Sequence, residues 1–248
     1  MRHLKLSLGL AVVACSLAVA ATPALAFEFK ASKEGATRGP AESTQRLKFG
    51  PFKVKCLKVS TEGHVAAGTS KTYATSIKFS KCLTTAKIGN HEIFLGTRFL
   101  TPLAIEYHAN GFVESGSELE EEEGKAVLKG GTAQLKVNTG KTEEFTKSEC
   151  KVYWPEQTIP FKAAKNPGEE FSAATYSNET REHKLNKAEF PDGLQHFIKI
   201  DNAFKGIKTE FEGEPCEEWG KEEGAESVGG TYTGSFPQIL VGGNLEYL

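Results

Sequence analysis

Apolar and polar residues alternate with a period of two along much of this 248-residue chain. The pattern is clear at 73–79, where Tyr73, Ile77 and Phe79 alternate with smaller or polar neighbours. Such alternation is typical of strands that bury one face, and no window sustains the i, i+3, i+4, i+7 stripe of an amphipathic helix. Sixteen phenylalanines beside a single methionine also suit pleated sheets, where stiff aromatic side chains pack well. The sequence therefore predicts an all-β fold.

Turn signals divide the alternating pattern into strands. Gly50-Pro51 separates two alternating runs, the second of which ends at Cys56. Asn110-Gly111 is a favoured type I′ pair and predicts a hairpin between 103–107 and 112–113. Turn signals about every eight to twelve residues favour β-sandwich-like domains of mainly antiparallel strands. We also predict a hairpin of 126–128 with 133–135 across Gly130-Gly131, and strands at 150–154, 173–180, 194–200, 206–211, 230–234 and 238–241.

The first 26 residues have the organisation of a secretory signal peptide. Arg2 and Lys5 precede an apolar run that ends at Ala24-Leu25-Ala26, an A-x-A cleavage site. The sequence therefore predicts that 1–26 is removed and that the protein is secreted or located at the cell envelope. Val12-Val13-Ala14-Cys15 also resembles a lipobox, so the alternative is a lipoprotein anchored through Cys15. No later segment is apolar enough to span a bilayer as a helix.

Chain length and charge bound the organisation after residue 26. The remainder suits one large all-β domain or two smaller ones. The Glu-rich run at 118–123 repels itself, and we place a boundary there, between an N-terminal β domain at 27–124 and a C-terminal β domain at 125–248. The formal net charge of −2 becomes −4 when Arg2 and Lys5 are lost with the signal peptide. An acidic balance argues against nucleic acid as a partner.

Four cysteines remain after removal of the signal peptide: Cys56, Cys82, Cys150 and Cys216. An even number in an oxidising compartment predicts two disulfides. Cys56 and Cys82 each end a predicted strand of the first half, whereas Cys150 and Cys216 lie in the second half. Pairing within each half, 56–82 and 150–216, is the simplest of the three connectivities. A redox-active C-x-x-C spacing is absent, so we expect structural disulfides.

Four segments around these cysteines have a recurring pattern of strands. They read FKVKC at 52–56, IKFSKC at 77–82, CKVYWPEQ at 150–157, and GIK at 206–208 followed by Cys216 and GTYTG at 230–234. In these segments the chain resembles a group of secreted β-rich proteins that occur in many copies in actinobacterial genomes. The resemblance implies a secreted, disulfide-containing β fold. Relatives often carry a further cysteine pair, near Phe94 and Val137 here, which this chain lacks. No established activity of the group transfers to this sequence.

Motifs for known catalytic chemistry are missing. The G-x-S-x-G elbow does not occur, and a Ser-His-Asp triad would depend on Asp192 or Asp201, the two aspartates of the chain. His91-Glu92 begins like the zinc motif H-E-x-x-H, but Leu95 occupies the second histidine position. The remaining histidines are scattered and do not pair at metal-ligand spacing. We therefore assign no catalytic, cofactor-binding or metal-ligating residue, and no cofactor.

The expected function is a secreted non-catalytic protein with a binding or structural role at or outside the cell envelope. Its ligand is an unknown extracellular or envelope component, and exposed strand edges or the loops at 118–124 and 215–224 are the available surfaces. One alternative is a secreted carbohydrate-active hydrolase that uses paired glutamates, for example among Glu214, Glu217 and Glu218 beside Trp219. A groove with two carboxylates beside an aromatic side chain would favour it. The second alternative is a lipid-anchored envelope or adhesion protein.

Overall fold

The computed structural model describes residues 28–41, 44–88, 91–108, 124–137, 150–161, 172–182, 190, 192–213 and 229–248. Within these ranges every regular element is a β-strand and every strand pair is antiparallel, which confirms the predicted fold class. The predictions made for 1–26, for the turn at 110–111, for the loop at 118–124 except Gly124, and for the whole loop at 215–224 lie outside the described residues. The same holds for Cys216 and for the residues of the hydrolase alternative, Glu214, Glu217, Glu218 and Trp219.

Seventeen strands occur in the described part of the chain. They are β1 (Phe29–Ala31), β2 (Gly35–Ala41), β3 (Gln45–Phe49), β4 (Phe52–Val65), β5 (Gly68–Ser70), β6 (Thr72–Ile88), β7 (His91–Phe99), β8 (Leu103–His108), β9 (Lys125–Leu128), β10 (Gly131–Val137), β11 (Cys150–Trp154), β12 (Gln157–Pro160), β13 (Ala173–Glu182), β14 (Leu194–Ile207), β15 (Glu210–Glu212), β16 (Gly230–Leu240) and β17 (Leu245–Tyr247).

Two long strands, β4 and β6, organise a 14-stranded antiparallel sheet, while β17, β1 and β5 form a separate small sheet. β4 and β6 pair with each other along most of their length, and their two halves have different outer neighbours. On one half the neighbours are β3 and β7, and on the other half they are β2 and β8. β16 pairs with β2, β3 and β14, so strands from both sides of residue 124 share one sheet. The division into 27–124 and 125–248 stays a prediction.

The β3–β4 hairpin turns at Gly50-Pro51, where the sequence predicts a break between two strands. Gly50 has a φ of 53°, a left-handed conformation that glycine adopts without a side-chain clash. Phe49 pairs with Phe52 across this turn, and the register then continues to Gln45 opposite Cys56. This turn therefore fixes which residues of the two strands face each other.

The buried side of β4 and β6 changes parity at the same level of both strands. In β4 the buried positions are 52, 54 and 56 and then 59 and 61, so that Leu57 and Lys58 are both exposed. In β6 the exposed pair is Ser80 and Lys81, and Lys81 has a φ of 52°. Because both strands change together, their pairing register is the same on either side.

One predicted disulfide lies at this level. Cys56 and Cys82 are directly opposite in the β4–β6 register and are bonded, with their Cα atoms 4.0 Å apart. The predicted 56–82 pairing is confirmed, and a disulfide fits an oxidising compartment. Cys150 is buried and also disulfide-bonded. Because Cys216 lies outside the described residues, the 150–216 pairing stays a prediction.

The predicted hairpin across Gly130-Gly131 is wrong. β9 pairs with β8 and β12, whereas β10 pairs with β7 and β11, so these consecutive strands are not partners. Gly131 lies against the indole of Trp154, where a Cβ atom would come within 2.3 Å of the ring. The indole Nε1 donates a hydrogen bond to the Lys129 carbonyl at 3.2 Å. The glycine here permits close packing on Trp154 rather than a tight hairpin turn.

Buried polar side chains connect distant strands inside an aromatic core. The hydroxyl of Tyr73 donates to Oε1 of Gln238 and lies 2.6 Å from the hydroxyl of Thr37. All three side chains are buried, and burial raises the pKa of Tyr73 well above its ordinary value, so the phenol stays protonated. Tyr232 makes a similar contact by donating to Gln45 at 2.7 Å. These hydrogen bonds satisfy polar groups that would otherwise destabilise the core.

Replacing Tyr73 with phenylalanine is expected to lower the free energy of unfolding by about 1–3 kcal/mol. The loss arises because Thr37 and Gln238 stay buried without the phenol as a partner. Urea unfolding measures the change. The matched control is Tyr153→Phe. The hydroxyl of Tyr153 contacts Glu212 at the surface, and we expect its loss to change the free energy of unfolding by less than about 0.5 kcal/mol. Equal stability of the two variants would contradict the account of the buried network.

Candidate functional site

Acidic and histidine side chains do not form a metal-binding cluster in the described part of the chain. No group of three or more His, Cys, Asp or Glu residues there has the geometry to hold a metal ion. His196 lies 3.7 Å from Asp192 and 3.8 Å from Glu246. Asp201 instead lies 3.6 Å from the ammonium group of Lys199. The two aspartates that a triad would require therefore lie at the surface, Asp192 near an imidazole and Asp201 in an ion pair with Lys199.

A depression of about 400 Å³ lies on the outer side of β4, β6 and β8. Its volume falls within the range of about 300–1,000 Å³ that small-molecule sites occupy. Small side chains form part of its lining, and none of the described lining residues is Phe, Tyr or Trp. The small lining residues are Ala74, Ser76 and Ala104, and the ionisable ones are Glu62, His64, Glu106 and Lys129.

The two carboxylates of this depression each lie next to a basic side chain. Glu62 accepts a hydrogen bond from Lys78 at 2.7 Å, and Glu106 lies 3.1 Å from the His108 imidazole. The hydrogen bond from Lys78 holds the pKa of Glu62 below its ordinary value. A glycosidase acid needs the opposite, a carboxyl group whose pKa is raised. Because the described lining also offers no Phe, Tyr or Trp as a sugar platform, the depression does not favour the hydrolase alternative.

The outward side of β3, of 52–56 in β4, of 81–85 in β6 and of 94–98 in β7 carries six basic side chains, which we call the basic face. Positions 45, 47 and 49 of β3 and 52, 54 and 56 of β4 are buried, so the intervening residues point outward. Across the β3–β4 pair, Arg46 is opposite Lys55 and Lys48 is opposite Lys53. Within these segments the outward positions contain no acidic residue, but the exposed Glu92 of β7 lies just beyond them, two residues from Phe94. The six residues are Arg46, Lys48, Lys53, Lys55, Lys81 and Arg98.

None of these six cations forms an ion pair or a side-chain hydrogen bond with any residue that the structure describes. Five are exposed and Lys48 is half-exposed. Like charges directly opposite each other on neighbouring strands destabilise a sheet, because their Cβ atoms are only about 5 Å apart. Other lysines of the molecule do have acidic partners, among them Lys78 with Glu62. The basic face therefore lowers stability without forming an internal contact, which is typical of a binding surface.

The sign of the basic face is opposite to that of the whole chain, whose formal net charge is −2. A concentrated patch of one sign raises the local potential and attracts ions of the other sign. The net charge of the whole chain argues against a polyanionic partner, but it does not reveal that the cations are concentrated on one face. The predicted binding surfaces were strand edges and the loops at 118–124 and 215–224. Sequence reasoning thus missed the basic face.

Three large apolar side chains lie among the cations. Leu83 is opposite Lys55, and Phe94 is opposite Thr85, which in turn is opposite Lys53. Leu57 follows Cys56 on the outward side of β4. The exposed fractions are 59% for Leu57, 47% for Leu83 and 54% for Phe94. These three are half of the six large hydrophobic residues that are exposed in the described part of the molecule.

No protein-family model, curated protein or solved structure matches this chain. The resemblance to secreted actinobacterial β-rich proteins therefore stays a prediction.

Proposed function

We propose that the protein is a secreted, non-catalytic binding protein that holds an anionic ligand on its basic face at or outside the cell envelope. The observation that carries this proposal is the pair of like-charge contacts between β3 and β4, Arg46 with Lys55 and Lys48 with Lys53. An anion placed over these four side chains would remove the repulsion between them. It would also give each cation the partner that it lacks in the described structure.

Six cations on one face are enough to support binding without a deep pocket. Each lysine or arginine close to an acidic surface contributes about 1 kcal/mol, so the face contributes up to about 6 kcal/mol at low ionic strength. That free energy corresponds to an affinity gain of roughly 10⁴-fold. Exposed charges are screened by salt, and the affinity should fall as ionic strength rises.

Secretion is supported by two independent features. The sequence of 1–26 has the basic, apolar and A-x-A regions of a signal peptide. The Cys56–Cys82 disulfide fits the oxidising environment outside the cytoplasm. No helix in the described residues is both long and apolar enough to cross a membrane. Lipidation of Cys15, the alternative reading of the leader, would place the same basic face near an envelope surface.

The test is binding of the 27–248 protein to dextran sulfate, with neutral dextran as the reference. Replacing both Lys53 and Lys55 with glutamine is expected to weaken binding roughly 10- to 30-fold, because about 1 kcal/mol of binding free energy is lost with each charge. The matched control replaces Lys71 and Lys125, two exposed lysines that lie away from the basic face, and should bind like the original protein. Both double variants lose the same net charge.

The two variants separate a local site from a general charge effect. Equal weakening of both would show that only the net charge matters, and would contradict the assignment of the site to the basic face. Failure of the unmodified protein to bind dextran sulfate even at low salt would reject an anionic ligand altogether.

A further inference from the structure

We infer that the anionic ligand is the surface of an acidic lipid bilayer, into which Leu57, Leu83 and Phe94 insert while the surrounding cations bind the lipid headgroups. This inference rests on the proposed function and names its ligand. It depends on a separate observation, the position of exposed apolar side chains within the basic face.

Apolar and basic side chains point in the same direction from the same strands. Leu83 of β6 and Lys55 of β4 are opposite each other in register, as are Lys53 and Thr85, whose other neighbour is Phe94. A surface that approaches the cations therefore also meets the leucine and phenylalanine side chains. Interfacial proteins use this combination, with apolar groups buried at the boundary of headgroups and acyl chains and basic groups bound to acidic lipids.

A bilayer accounts for the leucines, which a soluble polyanion does not. An acidic polysaccharide or an acidic peptide would neutralise Lys53 and Lys55 but would leave Leu57 and Leu83 in contact with water. Insertion removes their apolar surface from water and contributes to binding in proportion to the area buried. The long aliphatic stems of lysine can lie along the same boundary while the ammonium groups reach the headgroups.

Both contributions are needed for stable attachment, since one weak membrane signal gives only reversible binding. The inference therefore predicts two requirements. The bilayer must contain acidic lipid, and the apolar side chains must be intact. Loss of either should release the protein, whereas a soluble polyanion should bind independently of the apolar side chains.

The experiment measures co-sedimentation of the 27–248 protein with vesicles of phosphatidylcholine that contain about 30 mol% phosphatidylglycerol, which gives the vesicle surface a negative potential. Replacing Leu83 and Phe94 together with serine is expected to weaken partitioning about tenfold or more, with dextran sulfate binding unchanged. The matched control replaces Val241 and Leu248, which are exposed to 53% and 52% and lie away from the basic face. Because all four positions are at the surface, we expect both variants to fold, and melting curves check this.

The outcomes distinguish the lipid inference from the proposed function. If the Leu83 and Phe94 variant binds vesicles like the control, or if it also loses dextran sulfate binding, insertion into lipid is wrong and a soluble anionic polymer is the better ligand. Equal binding to vesicles of phosphatidylcholine alone would overturn the requirement for acidic lipid. The proposed function has a separate test: it fails if the variant with glutamine at positions 53 and 55 retains full binding to dextran sulfate.

Discussion

Replacing both Lys53 and Lys55 with glutamate is expected to weaken binding to phosphatidylglycerol vesicles roughly a thousandfold. The same double substitution is expected to raise the melting temperature. Each substitution changes the charge of the basic face by two units. At about 1 kcal/mol per unit, the four units amount to about 4 kcal/mol of binding free energy. The measurement is co-sedimentation at low salt together with a thermal unfolding curve.

The rise in stability follows from the β3–β4 register. Arg46 would face a carboxylate at position 55, and Lys48 would face one at position 53. Attractive cross-strand pairs contribute about 0.2–1 kcal/mol each, and two repulsive pairs are removed at the same time. A total of about 1–2 kcal/mol raises the melting temperature by several degrees in a protein of this size. Opposite changes in binding and stability are the signature of residues retained for function.

The control for this prediction is the reversal of Lys71 and Lys125 to glutamate. The change in net charge is the same, but neither lysine lies on the basic face. We expect little change in vesicle binding relative to the thousandfold loss. A Lys53 and Lys55 variant that is less stable and still binds vesicles would contradict both the role and the electrostatics of the basic face.

Replacing both Cys56 and Cys82 with alanine is expected to lower the free energy of unfolding by about 3.5 kcal/mol. The disulfide joins residues 26 positions apart, and opening a loop of that length increases the entropy of the unfolded chain. The melting temperature should fall by about 10 °C. Alanine is preferred to serine because Cys56 is completely buried, and a serine hydroxyl there would add an unrelated penalty.

The Cys56 and Cys82 variant should still form the same sheet, since β4 and β6 pair on both sides of the bridge. Far-UV circular dichroism at 20 °C checks this, and thermal unfolding gives the stability. Reduction of the unmodified protein is a harsher comparison, because Cys150 is also disulfide-bonded. A melting temperature within 2 °C of the original would show that the 56–82 bridge does not stabilise the fold.

Alternation in the sequence predicts the strands of this fold best where one side of a strand faces the core. The predicted runs around Leu47, Val54 and Ile105 correspond to β3, β4 and β8, because their inward positions are buried one after another. Prediction is less accurate where glycine marks something other than a turn. Gly131 packs against Trp154, and this contact depends on residues distant in sequence, which local patterns do not reveal.

The basic face was predictable only in part. A two-residue turn at Gly50-Pro51 places Arg46 opposite Lys55 by counting along the two strands, so the like-charge pairs follow from the sequence once the turn is assigned. The positions of Leu83 and Phe94 beside them do not. They depend on the pairing of β4 with β6 and of β6 with β7, and local sequence patterns leave that choice open.

Lysine footprinting on acidic vesicles tests the central proposal most directly. The protein is acetylated with and without phosphatidylglycerol vesicles, and the modification of each lysine is read by mass spectrometry. We expect Lys48, Lys53, Lys55 and Lys81 to be protected by the vesicles, and the exposed Lys30, Lys71 and Lys125 to be modified equally in both samples. Protection of the second group, or equal modification of both groups in a sample that binds vesicles, would show that the protein binds through another surface.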